Sequence, residues 1–161
     1  MFHKCFALLF VACVLLLLPV QSMAVVGTCT QTSVEEIYTS GGPSPVVKTL
    51  SFTCTAGTVG DAGSYPATAI NSLNTNHLKS WFLYKVETNP GAVPPDDNWD
   101  LTITNSNGID MLGGAGMNRH TTTSQRVKPV YLDPLVGTWT INITDNTTAS
   151  AVIVLDLTFV R

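Results

Sequence analysis

The feature that most constrains the fold is the alternation of apolar and polar residues in short runs separated by turn residues. Trp139, Ile141 and Ile143 alternate with polar residues along one run, and residues 153–159 alternate along the next. A period of two places alternate side chains on opposite faces of a β-strand, so each run predicts a strand with one buried face. The polar residues 145–150 between them predict a turn, and the two strands are therefore expected to form a C-terminal hairpin.

Further runs of the same kind occur earlier in the chain. Residues 48–55 and 99–103 alternate, and 127–132 is a short apolar run. Residues 81–87 are more densely apolar, which predicts a strand covered on both faces. Asn107-Gly108 predicts a type I′ turn, because both residues tolerate positive φ, and residues 109–112 would form the return strand.

These runs together predict the fold class. Threonine, which favours strands, occurs 22 times in residues 25–161. About seven short strands, with turn signals about every 8–12 residues, predict an all-β domain that is an antiparallel β-sandwich. Residues 67–79 alone show helical spacing, so we expect at most one short helix, or a series of turns, there.

The first 24 residues predict export. Lys4 precedes an apolar run at residues 5–20, and Ser22-Met23-Ala24 has the small–x–small pattern of a cleavage site. The run of about 16 residues is shorter than the ~20 of a membrane span. We therefore predict a signal peptide at 1–24 and a single β-sandwich domain at 25–161, periplasmic or extracellular and free of the membrane after cleavage. An uncleaved membrane anchor is the alternative.

Export bears on the cysteines, because two of the four lie in the predicted signal peptide. The remaining pair, Cys29 and Cys54, is expected to form a disulfide in an oxidising compartment. Cys54 shares an apolar face with Leu50 and Phe52, so the bond should be buried and structural, anchoring residues 25–47. Two free thiols are the alternative, and a zinc site lacks the four ligands it needs.

The charged and titratable residues exclude some function classes. A formal net charge of −3 without a basic block makes nucleic acid an unexpected partner. Residues 25–161 contain two histidines, His77 and His120, both in polar stretches, and no G-x-S-x-G motif. We expect a protein without enzymatic activity; an exported hydrolase using His120 is the alternative.

One acidic stretch is a candidate calcium site. Asp96, Asn98 and Asp100 match the first three ligand positions of a calcium-binding loop, but the later glycine and glutamate are missing, which excludes an EF-hand. Calcium could still bind where loops meet at one end of the sandwich. The candidate ligands are Asp96, Asp97, Asp100 and Asp110. Turn formation by Asp and Asn is the alternative interpretation, and no other cofactor is predicted.

The three tryptophans of the domain also have two interpretations. Trp81, Trp99 and Trp139 are able to form a platform on which sugars stack. The alternation, however, places all three on inward-facing positions, which favours a role in the hydrophobic core.

A resemblance covers residues 81–160. An apolar strand is followed by Pro90-Gly91, a proline loop, Asp97-Asn98-Trp99-Asp100, an alternating strand, Asn107-Gly108-Ile109-Asp110 and a glycine-rich loop. This order is similar to that of small virion-associated β proteins of tailed bacteriophages. The resemblance implies a structural or interaction module without catalysis, acting through protein partners or self-assembly. A secreted carbohydrate- or surface-binding domain, or a pilus-like subunit, is the alternative.

Overall fold

The computed structural model describes residues 25–39, 41–42, 44–58, 60–70 and 77–161. The predicted signal peptide at 1–24 lies outside the described residues. The described residues form eight strands, named in chain order: β1 (Thr28–Tyr38), β2 (Pro45–Thr55), β3 (Thr68–Ala69), β4 (Phe82–Pro90), β5 (Asp100–Thr104), β6 (Gln125–Val127), β7 (Thr140–Thr144) and β8 (Val152–Val160).

The strands form two antiparallel sheets. One has five strands in the order β1-β2-β8-β4-β6, and the other has three in the order β3-β7-β5. The predicted all-β antiparallel sandwich is confirmed. The segment predicted as a short helix or a series of turns, 67–79, contains β3 near its start. Within the described part of the chain, His77 and Leu78 have helical geometry and Lys79 lies in a turn, and 71–76 lie outside it.

The hydrophobic core lies between the two sheets. β8 is the central strand of the larger sheet, and its alternate residues Ile153, Leu155, Leu157 and Phe159 are fully buried. From the smaller sheet, apolar residues of β5 and β7 point toward them and are buried too. The alternation in the sequence therefore marks the inner face of each sheet correctly.

The predicted C-terminal hairpin is wrong. β7 pairs with β3 and β5, whereas β8 pairs with β2 and β4, so the two strands belong to different sheets. Their apolar faces meet across the core, where the ring centroids of Trp139 and Phe159 are 6.4 Å apart. Two alternating runs joined by a turn are compatible with a hairpin and equally with two strands in opposite sheets, because each strand buries one face in both arrangements.

The turn at Asn107-Gly108 also differs from the prediction. The Gly108 N–H donates to the Asn105 carbonyl, and only Gly108 of the two central candidates has positive φ, 78°. These are the features of a type I turn followed by a glycine bulge, not of type I′. The expected return strand reduces to one bridge between Thr104 and Asp110.

The residues after Asp110 form consecutive turns that cover the free edge of β5. The Leu101 N–H donates to the Gly116 carbonyl, and the Met111 N–H donates to the Ile103 carbonyl. Gly116 lies so close to β5 that a Cβ there would collide with the Leu101 carbonyl oxygen. The glycine-rich loop is therefore a packed cover for a sheet edge.

Two strand predictions need correction besides these. The sequence does not predict β1 as a strand. Its side chains are mostly exposed, so it lacks the alternation that marks a half-buried strand. It is an edge strand that pairs along almost all of β2. β6 covers only residues 125–127, where the apolar run predicted 127–132.

Candidate interaction surface

The predicted disulfide is present. Cys29 and Cys54 are bonded, and they are also directly opposite each other in the antiparallel pairing of β1 with β2. Cys54 is fully buried and Cys29 packs partly buried against the core. The bond thus ties the exposed edge strand to the rest of the larger sheet.

The four candidate calcium ligands have separate roles in turns. Asp110 accepts hydrogen bonds from the N–H groups of Ile103, Leu112 and Gly114. Asp100 accepts from the Asn118 N–H and Asp97 from the Thr121 N–H.

Across the described residues, no three acidic, histidine or cysteine side chains form a group that could hold a metal. The geometry there gives the calcium hypothesis no support, and the carboxylates act as acceptors for loop backbone.

Asp96 joins three loops at one end of the sandwich. Its carboxylate accepts hydrogen bonds from the Thr147 N–H and from the hydroxyls of Thr147 and Thr148. Its own N–H donates to Asn146 Oδ1, and Asn146 Nδ2 donates to the Gly63 carbonyl, 2.8 Å away. The hydrogen bonds from Thr147 and Thr148 hold the pKa of Asp96 below its ordinary value.

Replacing Asp96 with alanine should lower the free energy of unfolding by about 1–3 kcal/mol at pH 7, because hydrogen bonds to a charged group are lost. A lowered pKa in the folded state means that this stability is present above the unfolded pKa of about 4 and is lost as the pH falls below it. The difference between wild type and variant should therefore shrink in acid.

Urea unfolding at pH 7 and at about pH 2–3 measures both effects. Asp133→Ala, at an exposed position, is the matched control and should change stability little. Equal losses for Asp96→Ala and Asp133→Ala at pH 7 would contradict the assigned role.

The aromatic and imidazole candidates lie in structural positions. Trp81, Trp99 and Trp139 are at most 3% exposed, so they belong to the core and cannot form a platform for sugars. His120 Nδ1 accepts hydrogen bonds from the N–H groups of Thr122 and Thr123, which fixes the loop that precedes β6.

The most distinctive surface is the side of the five-stranded sheet that points away from the smaller sheet, here called the outer face. The pairing registers arrange its side chains in rows that cross the strands. One row, here called the apolar row, lies at the end of the sheet where β8 finishes. Its members are Ile37, Val47, Val160, Phe82 and Tyr84.

A β-bulge in β4 shapes the apolar row. Leu83 pairs with Phe159 and Lys85 with Thr158, so Tyr84 is the extra residue. Leu83 stays buried, whereas Tyr84 is 49% exposed and lines a shallow depression together with Ile37, Lys85 and Thr158. The bulge therefore directs both Tyr84 and Lys85 toward the outer face. The prediction that this strand is covered on both faces is wrong at Phe82 and Tyr84.

Polar side chains occupy the next rows of the outer face. Lys85 Nζ and the Arg126 guanidinium each lie 2.6 Å from a Glu87 carboxylate oxygen. Their hydrogen bonds, that of Lys85 first, keep the pKa of Glu87 below its ordinary value. Ser51 donates to Asp156 nearby. These contacts fix long side chains in place beside the apolar row.

Comparison with known proteins assigns the chain to no family: neither a family model nor a curated protein sequence matches it. In the described part of the chain, no helix has the length and apolar character needed to span a membrane. The surface chemistry of the outer face and the disulfide are therefore the main guides to function.

The sequence predicts the residues of the outer face only in part. The dense apolar run at residues 81–87 predicts that Phe82 and Tyr84 are buried, because a run without alternation carries no information about which side faces solvent. The usable signal is a pair of aromatic residues at positions 82 and 84 flanking the inward-facing Leu83. That pattern indicates an exposed aromatic pair once the inner face is known.

Proposed function

We propose that this protein is an exported, non-enzymatic structural or interaction module that binds a protein partner through its outer face. The observation that carries the proposal is the apolar row, where Phe82, Tyr84 and Ile37 are 36%, 49% and 53% exposed on one side of an ordered sheet. Contiguous exposed apolar side chains with a polar surround are typical of protein contact surfaces.

The disulfide supports an oxidising location. Disulfides form and persist in the periplasm and outside the cell and are rare in the cytosol. The Cys29–Cys54 bond is therefore compatible with export. It agrees with the proposed signal peptide at 1–24, which would direct residues 25–161 to the periplasm or the extracellular space.

The composition of the outer face favours a protein over other partners. Tyrosine and arginine are the residues that most often carry binding energy at protein interfaces, and Tyr84 and Arg126 both lie on this face. The depression beside Tyr84 is open to solvent, unlike the enclosed pockets that hold small ligands. Acidic and basic groups are mixed, which does not suit the uniformly negative backbone of nucleic acid.

The resemblance of residues 81–160 to phage virion proteins suggests the kind of assembly. We propose that the module is part of, or attached to, a particle of that type. Because the outer face is the proposed contact, a change there should release the protein from the particle without unfolding it.

The test compares two tyrosines of equal exposure. Tyr84 and Tyr131 are each 49% exposed, but only Tyr84 lies in the apolar row. We expect Tyr84→Ala to lower the amount of protein that copurifies with particles or other assemblies from the source by about tenfold, a loss of ~1.4 kcal/mol of binding. Tyr131→Ala should copurify like wild type.

Mass spectrometry of purified assemblies gives the readout, and thermal unfolding confirms that both variants fold. The wild-type protein is expected in the assembly fraction. Its absence from every assembly, or equal loss with both tyrosine variants, would contradict the proposed function.

A further inference from the structure

We propose that the outer face binds the outer face of a second copy of this chain, as a two-fold symmetric pair of stacked five-stranded sheets. This inference rests on the proposed function and names its partner. It follows from the distribution of charge and apolar side chains on the two sides of the face.

One row of the outer face has an acid at one end and bases at the other. Across the sheet, the registers align Glu35 of β1 with Thr49, then with Thr158, then with Lys85 of β4. Lys128 follows β6 at the same level, because Val127 pairs with Val86. Its Nζ lies 5.9 Å from the centroid of the Tyr84 ring.

The two ends of this row cannot neutralise each other within one molecule. Four strand spacings of about 4.8 Å separate β1 from β6, so the end groups are roughly 19 Å apart. That distance exceeds the screening length of about 8 Å at physiological salt. Among the described residues, neither Glu35 nor Lys128 makes an ion pair.

A two-fold axis that runs parallel to β8, midway between the two stacked sheets, makes these ends complementary. β8 is the third of five strands, so the rotation places β1 over the second copy's β6 and β2 over the second copy's β4. Glu35 then faces the second copy's Lys128, and Val47 faces the second copy's Phe82. Val160 meets its own counterpart at the axis, and the apolar rows cover each other.

One group opposes the arrangement. Asp156 lies on β8 in the row beyond Thr158, so the rotation also brings the two Asp156 carboxylates toward the axis. Ser51 and Asn89 donate hydrogen bonds to this carboxylate, which spreads its charge but leaves a repulsion between copies. Removing that charge should therefore tighten the pair.

The size of the proposed contact limits its affinity. The apolar row and the two rows that contain Glu35 and Asp156 cover, across five strands, about 400–500 Å² per copy. A standard protein interface buries about 800 Å² per partner. We therefore expect association in the micromolar to millimolar range.

A charge exchange tests the geometry directly. In sedimentation velocity of the mature, oxidised protein from about 10 µM to 1 mM, wild type should self-associate, and Glu35→Lys or Lys128→Glu alone should raise the dissociation constant at least about fivefold. The double variant should return to within about twofold of wild type, because the paired charges are only exchanged. Asp156→Asn should lower the dissociation constant.

Circular dichroism and thermal unfolding verify the fold of each variant. A protein that stays monomeric at about 1 mM, or a double variant no tighter than the single ones, would overturn the proposed pair. A monomeric protein that still copurifies with an assembly through Tyr84 would overturn self-association alone and leave the proposed function standing.

Discussion

Trp139→Ala should lower the free energy of unfolding by about 3–5 kcal/mol, the range for removal of a large buried aromatic side chain. Trp139 is 1% exposed, and it bridges the two sheets by packing beside Phe159 of β8. Its backbone carbonyl also accepts the Ile70 N–H next to β3. The cavity would open between the sheets, where rigid β pairing on both sides restricts collapse.

Chemical denaturation monitored by far-UV circular dichroism measures the loss. Tyr131→Ala is the matched control, because this aromatic side chain is exposed and its truncation should change stability by less than about 0.5 kcal/mol. A Trp139→Ala variant with near wild-type stability would show that this residue does not hold the sheets together.

Cys54→Ser should cost about 2–5 kcal/mol, which is a large share of the stability of a small domain. The bond closes a segment with a sequence separation of 25 residues, so its loss frees the unfolded chain. The substitution also places a hydroxyl at a fully buried position, on the same face of β2 as Leu50 and Phe52. β1 should suffer most, because it is an edge strand with little buried surface of its own.

Limited proteolysis and intact-mass analysis give the readout. In the variant, cleavage within β1 should precede cleavage in β7 or β8, whereas oxidised wild type should resist at all three. Wild type treated with a reductant serves as a control that carries no substitution. Two alkylatable thiols in the mature, non-reduced protein would contradict the bond and weaken the case for export.

The sequence predicts the inner faces of the sheets well, because alternation reports burial directly. Ile141, Ile143, Leu155 and Leu157 all lie where the pattern places them. Alternation does not report which strands pair with each other, because a strand with one buried face can have the same pattern in either sheet and beside any partner strand. This is why the strands around Trp139 and Phe159 were expected as a hairpin, although they face each other from opposite sheets.

Apolar–polar alternation cannot predict strands whose side chains are mostly exposed. β1 lacks alternation because most of its side chains remain in water, and only the cysteine pairing indicated that residues near Cys29 lie beside β2. The bulge in β4 inserts one residue and breaks the period of two, so Lys85 lies on the outer face together with Tyr84. The exposed position of Lys85 therefore depends on an irregularity that composition and spacing do not reveal.

The measurement that tests the central claim most directly is site-specific photo-crosslinking in the producing cells and their surroundings. A photoreactive amino acid replaces either Tyr84, which lies in the apolar row, or Tyr131, which is not a member of that row; both are 49% exposed. We expect strong cross-links to protein from position 84, to a second copy or to another component of the assembly, and few from position 131. Cross-links that are absent at position 84, or equal at both, would contradict the assignment of the outer face as the contact surface.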